Sequence, residues 1–383
     1  MAAITRERYV TRTDLARIVL GWAAFGLLLI AHPLLDPPVP APLLILSLGA
    51  IVGVIVVCAF GVVTQAEALA HRLGDPYGSL VLTLSIVVIE VVLISAVMLG
   101  PGENTTIARD SVMAVAMIIL NLVIGLALVV GGWRHRVLKP NSAGASAYLS
   151  MLVVLLVVAL VLPAVIGRSG AYTAGQAIPV VLLTLSVYAV FLARQTGVQS
   201  GDFTEVRTPL PTDDAIVAPP VVSERVTRVI SRHRREVATR LVVLIATMIP
   251  IVLLSHDMAG LLDDGVGRIG APTALVGVLI ALIVFLPESL TALRAAAAGE
   301  IQRVSNLCHG ALVSTVGLTI PAVLVIGLAT GQTVVLGETP VHLVMIAVTL
   351  LLSVTTFAAQ RVTAIHGVAH LAVFAVYALV LFS

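Results

Sequence analysis

The chain divides into a succession of apolar runs separated by short polar stretches, and this pattern constrains the fold more than any motif does. A helix rises 1.5 Å per residue, so about 20 apolar residues cross roughly 30 Å of hydrocarbon. Runs that meet this length fall at 15–35, 42–66, 77–99, 111–132, 146–167, 175–194, 238–256, 270–294, 302–328, 339–357 and 365–382. They predict an all-α polytopic membrane protein of about eleven transmembrane helices. Composition agrees: 59% of the 383 residues are hydrophobic and 11% charged, against about 25% charged in a soluble domain.

Loop charge orients these helices. With the amino terminus in the cytoplasm, every Lys and Arg except Arg109, Arg168 and Arg268 falls on the cytoplasmic side, as the positive-inside rule requires. One miscounted span would exchange inside and outside beyond it, so the bias also predicts a carboxyl terminus outside. The net charge of +2 is spread over these loops, which points to the lipid bilayer as partner and not to nucleic acid. Cys58 and Cys308 lie inside apolar runs without the spacing of a metal or redox site and read as packing residues. The polar tail 1–14 carries Arg6, Arg8 and Arg12, and the run after it lacks a small-x-small cleavage site. It is expected to remain as a first helix, 15–35.

The longest connection, 197–237, holds Pro209, Pro211, Pro219 and Pro220, the pair Asp213 and Asp214, and a basic stretch from Arg225 to Arg235. It is expected to be a cytoplasmic linker between a first five-helix repeat, 42–196, and a second, 238–383. An odd number of spans per repeat makes the second enter the membrane from the opposite side, the inverted arrangement of many secondary transporters. Matching segments support this. The second span of the first half reads LTLSIVVIEVVLI around Glu90, and its counterpart reads IALIVFLPESLTAL around Glu288. The next helices carry Asn121-Leu122 with Gly125 and Asn306-Leu307 with Gly310.

A carboxylate deep in hydrocarbon costs several kcal/mol unless it is paired, coordinated or protonated. No Lys or Arg occupies the central stretch of any span. What remains for Glu90 and Glu288 is a proton, a bound cation, or a neutral acid hydrogen-bonded to a neighbouring helix. Protons and a cation competing for one carboxylate pair would constitute cation/proton exchange, with Glu90 and Glu288 holding the transported metal ion. Oxygen ligands suit hard cations.

Thr83, Ser85, Asn121, Ser289, Asn306 and Ser314 are candidates to complete the ligand shell, with ordinary helix packing as the alternative for each. Pro287 is expected to break its helix and free carbonyls. Glu67, His71 and Asp75 at the cytoplasmic end of the second span, and Glu300 with Arg303 in the corresponding cytoplasmic loop between the eighth and ninth, mark either a cytoplasmic entrance or simple loops. His309 reads as a proton relay or a packed core histidine, and His366 with His370, four apart, as a metal pair without a third ligand. A cation channel or another multi-span transporter is the alternative function. An intramembrane enzyme would need a nucleophile with its base or a metal triad, and neither motif is visible. No cofactor is expected beyond the transported cation and H⁺, and oligomeric state has no signal in the sequence.

Three stretches, AEALAHRLGDPYGSLVLTLSIVVIEVVLISAVM, FLPESLTALRAAAAGEIQRVSNLCHGALVSTVGLTIPAV and GVAHLAVFAVYALVLF, resemble the bacterial ChaA-type calcium/proton antiporters of the calcium/cation antiporter superfamily. The resemblance implies an extra first helix followed by two inverted five-helix repeats in the bacterial inner membrane. It also implies proton-driven export of Ca²⁺, Na⁺ or K⁺ (calcium/proton, sodium/proton or potassium/proton antiport) by alternating access. The acidic residues of that superfamily's two repeats fall on Glu90 and Glu288. Many members place Gly-Asn-x-x before each acid, whereas this chain has Ile86-Val87-Val88-Ile89 and Val284-Phe285-Leu286-Pro287. The missing asparagines remove oxygen ligands, which favours a monovalent cation over calcium with its six to eight ligands.

Overall fold

The computed structural model describes residues 10–31, 39–73, 105–205, 232–272, 274–359 and 361–382, together with 84–85, 87–92, 94–95 and 98. The helices are α1 (Arg12–Ala31), α2 (Ala41–Leu73), α3 (the described residues between 84 and 98), α4 (Ile107–His135), α5 (Ser142–Ile166), α6 (Ala174–Thr196), α7 (Arg234–Arg268), α8 (Ala274–Ala298), α9 (Ile301–Thr330), α10 (Pro340–Ala358) and α11 (Ala364–Leu381). Ten of these, all but α3, are long and apolar enough to cross a membrane among the described residues. The third expected span, 77–99, lies partly outside them; its described residues are helical. Most of the linker also lies outside, beyond residue 205.

Two helices depart from expectation, the first in length. α7 runs for 35 residues, where hydropathy alone picks out 238–256. Its polar ends hold themselves in helical form: Arg240 bonds Glu236 at 3.0 Å, and Arg268 bonds Asp264 at 2.6 Å and the Val39 carbonyl. Such i,i+4 pairs extend a helix beyond its apolar middle. A second departure concerns Pro287, since α8 continues through it. A proline removes one backbone donor, and packing on both sides keeps the helix intact in spite of that loss.

α4 and α9 are buried along most of their length, and α1 least of all. Around these two central helices the contacts recur in pairs. α6 packs on α9 and α11 on α4; α5 packs on α9 and α10 on α4; α2 packs on α7. α4 and α11 meet through glycine: a Cβ built on Gly367 would stand 2.5 Å from the Gly125 carbonyl oxygen, and one on Gly132 2.4 Å from the Ala364 nitrogen. Small residues let helix backbones approach where lipid offers no hydrophobic drive for association.

Candidate functional site

The third helix of the chain and the eighth bring Glu90 and Glu288 to the centre of the bundle, with solvent exposures of 3% and 4%. The two carboxyls are close enough to act on each other electrostatically. α9 completes the arrangement: Thr315 donates its hydroxyl to Glu90 Oε2 at 2.5 Å. The remaining oxygens, Glu90 Oε1 and both of Glu288, are buried without a hydrogen-bond partner among the described residues. An ionised carboxylate unpaired in this way costs several kcal/mol. Among the described residues no Lys or Arg forms an ion pair with either carboxyl.

A small cavity adjoins Glu288, with room for an object about the size of one water. Ile119, Val123, Phe285, Ser289, Leu307, Cys308 and Ala311 line it. The surface that faces the cavity is apolar, although Glu288 and Ser289 stand among the residues around it. Ser289 donates its hydroxyl to the Phe285 carbonyl at 2.7 Å.

Of the residues singled out in the sequence, Glu90, Glu288 and Ser289 come together. Ser85 is buried on α3, and Thr83 and Asp75 lie outside the described residues. Asn121 turns away from the glutamates: it donates to Thr349 Oγ1 at 2.9 Å and meets His370 at 3.3 Å. It sits in a π-helical turn, Ile118–Val123, while Ile119 and Val123 of the same turn face the cavity. Asn306 bonds Gln302 and the Phe203 carbonyl near the start of α9, and Ser314 pairs with Tyr188 of α6 at 3.1 Å.

The expected entrance residues do not converge either. Glu67 is half-buried on α2, and Glu300 pairs at the surface with Arg303 at 3.1 Å. His309 is fully buried, bonded to Ser305 through Nδ1 and packed edge-on against Phe357. His366 folds back on Thr363, while His370 points inward to Thr356 and Asn121. Among the described residues no three His, Cys, Asp or Glu side chains are placed to hold a metal ion. Both cysteines are free and buried.

Thr315 is the contact that the sequence reading misses. The sequence points to its neighbour Ser314 instead, and one residue on a helix is a turn of about 100°. Because α9 is buried on nearly every side, no apolar stripe marks which face meets α3.

Ten helices long and apolar enough to cross a membrane among the described residues, with acidic side chains buried between them, define a class: multi-pass membrane proteins. The chain belongs to the sodium/calcium exchanger protein family, whose pattern matches residues 43–197 and 239–383. It is 32% identical over 339 residues to the sodium-potassium/proton antiporter ChaA of Escherichia coli, covering 88% of this chain and 89% of that one. It is 36% identical over 353 residues, 91% of this chain and 90% of the other, to y4hA of Sinorhizobium fredii, which carries the designation of an ionic transporter. The fold matches that of YfkE with a TM-score of 0.67 at 17% identity, covering 96% and 99% of the two chains. It matches the H⁺/Ca²⁺ exchanger CAX with a TM-score of 0.67 at 14% identity, covering 96% and 89%. The protein is a multi-pass cation transporter of the bacterial inner membrane.

Proposed function

We propose that the chain is a secondary-active cation/proton antiporter in which Glu90 and Glu288 are shared alternately by a cation and by protons. The observation that carries this reading is the set of three buried carboxylate oxygens without partners. A site built for a permanent occupant would satisfy them with fixed donors. A site built to exchange occupants leaves them to the cargo.

The residues perform distinct tasks. Glu288 and Glu90 bind the cation when ionised and are neutral when protonated. Thr315 holds Glu90 in one orientation through its hydroxyl. Neutralised forms cross between the two faces of the membrane, whereas the bare double anion is too costly to expose to the apolar interior. This restriction couples export of the cation to entry of protons.

The paired helix contacts support alternating access. Each half lends its last two helices to the central helix of the other, so a tilt of one half against the other shifts α3 relative to α8. That is the movement an inverted repeat produces about a site at the bilayer midplane. The sparse oxygen lining favours Na⁺ or K⁺ over Ca²⁺, whose six to eight ligands would have to come largely from water. The ChaA relative, a sodium-potassium/proton antiporter by name, points the same way.

The test uses everted vesicles carrying the full-length protein. Proton efflux should follow addition of Na⁺ or K⁺, with a weaker response to Ca²⁺. Glu90→Gln and Glu288→Gln should each abolish the response while leaving the amount of membrane-inserted protein unchanged. Exchange that survives in both variants would overturn the assignment.

A further inference from the structure

Away from the glutamate pair, at the ends of the helices opposite the arginine-rich loops, a second polar cluster joins the two halves. Arg109 Nε lies 2.9 Å from Asp110 Oδ1 and 3.8 Å from Glu338 Oε2, and its Nη1 donates to the Gly337 carbonyl at 3.2 Å. Thr106 donates to Asp110 Oδ2 at 2.8 Å. His342 Nδ1 meets Glu338 Oε2 at 2.9 Å, and the Thr339 amide donates to the same oxygen at 3.1 Å.

Two features show that the cluster is more than a structural ion pair. The Glu338 side chain is completely buried, yet its Oε1 has no hydrogen-bond partner among the described residues. The His342 ring bonded to it is 17% exposed, so it connects a sealed carboxyl to the surface. The second feature is charge. Among the described residues, the charged and titratable groups facing Glu338 and His342 are Arg109 and Asp110 from α4 and Tyr377 from α11, whose ring is 6.0 Å from that of His342. With His342 and Tyr377 neutral, two carboxylates face one guanidinium. One negative charge is left over in a largely buried place.

We propose that Arg109, Asp110, Glu338 and His342 form a second proton-binding site, separate from Glu90 and Glu288, that senses the solution on the outer side of the membrane. A proton from that solution adds to the imidazole of His342 while Nδ1–H goes on donating to Glu338. No other bond forms or breaks, and the imidazolium cancels the surplus negative charge. Because Arg109 and Asp110 belong to α4 while Glu338 and His342 belong to α10 and the segment leading into it, the bound proton tightens the contact between the two halves at this end. Outer proton concentration then sets how readily this end opens.

The consequence for transport rests on the antiporter reading above, so the test separates the two. In proteoliposomes, the pH facing the cluster is varied across the histidine range, about 5 to 8, with the opposite side fixed. Wild-type exchange should change over that range. H342Q and E338Q should lose this one-sided dependence, whereas E288Q should lose exchange at every pH. Independently of transport, the side-chain nitrogen signal absent from H342Q in full-length protein labelled at histidine should titrate in the wild type. Its titration should shift in E338Q. A His342 signal that stays fixed over the range, or an H342Q profile that superimposes on wild type, overturns the proposal. A transporting E288Q overturns the glutamate reading instead and leaves the titration result standing.

Discussion

At the scale of the residue, the site is defined by what its carboxylates lack. Thr315 satisfies one oxygen of four, and the other three have no hydrogen-bond partner among the described residues; in the proposed function these are the ones left to a cation or protons. A hydrogen bond to a charged group contributes about 1.5–3 kcal/mol, equivalent to roughly tenfold or more in affinity. Thr315→Val should therefore raise the cation concentration for half-maximal exchange about tenfold, and Thr315→Ser should restore it. Equal losses in both variants would assign Thr315 to packing alone. The two glutamates were legible in the sequence because a carboxylate within an apolar run has few explanations. The identities of their neighbours were not. Asn121 and Ser314 are polar, central and buried, but each spends its hydrogen bonds on a different helix, and rotation about a fully buried helix leaves no trace in hydropathy.

At the scale of the element, backbone groups freed by irregular turns find partners on other elements. Pro250 leaves the Ala246 carbonyl of α7 without its usual donor, and Trp22 of α1 donates to it at 3.1 Å. In α5 the π-helical turn Val157–Val161 includes Val158, whose carbonyl accepts the Tyr172 hydroxyl at 2.5 Å. Burial pushes the Tyr172 hydroxyl up to about 12, above its unfolded range. Its contribution to stability is therefore fully present below about pH 10 and lost only as pH rises through about 12. Tyr172→Phe should cost about 1 kcal/mol, visible as a lower thermal midpoint at neutral pH.

The glycines give a sharper contrast. Gly367→Leu should separate α4 from α11 and sharply reduce folded protein in a detergent-stability assay. Gly53→Ala, where a Cβ meets nothing within 4 Å, should be tolerated. The apolar runs disclosed the helices themselves. The π-turns remained hidden, because one residue gained within a single turn does not disturb a pattern averaged over twenty.

At the scale of the whole molecule, two halves share one core. α4 and α9 are each enclosed largely by helices of the other half, so neither half has a complete interior of its own. The separate expression of 1–196 or 238–383 should yield protein that is degraded, while their co-expression should recover assembled transporter. The loop charges predict the amino terminus inside and the carboxyl terminus outside. A reporter that is fluorescent only in the cytoplasm should stay dark when fused after Ser383 and be bright when fused before Met1. The same charge pattern was plain in the sequence, since it depends only on which loops hold Arg and Lys. The Arg109–Glu338 contact was not, because it joins residues 229 positions apart through a fold that hydropathy does not specify.

The central claim is that a cation and protons compete for Glu90 and Glu288. It is tested most directly by adding Na⁺, K⁺ or Ca²⁺ to purified full-length protein in weakly buffered detergent solution and recording proton release. The account predicts release on cation binding in the wild type and none in the doubly substituted E90Q/E288Q protein. Cation binding without proton release, or release that persists in the double variant, would contradict it.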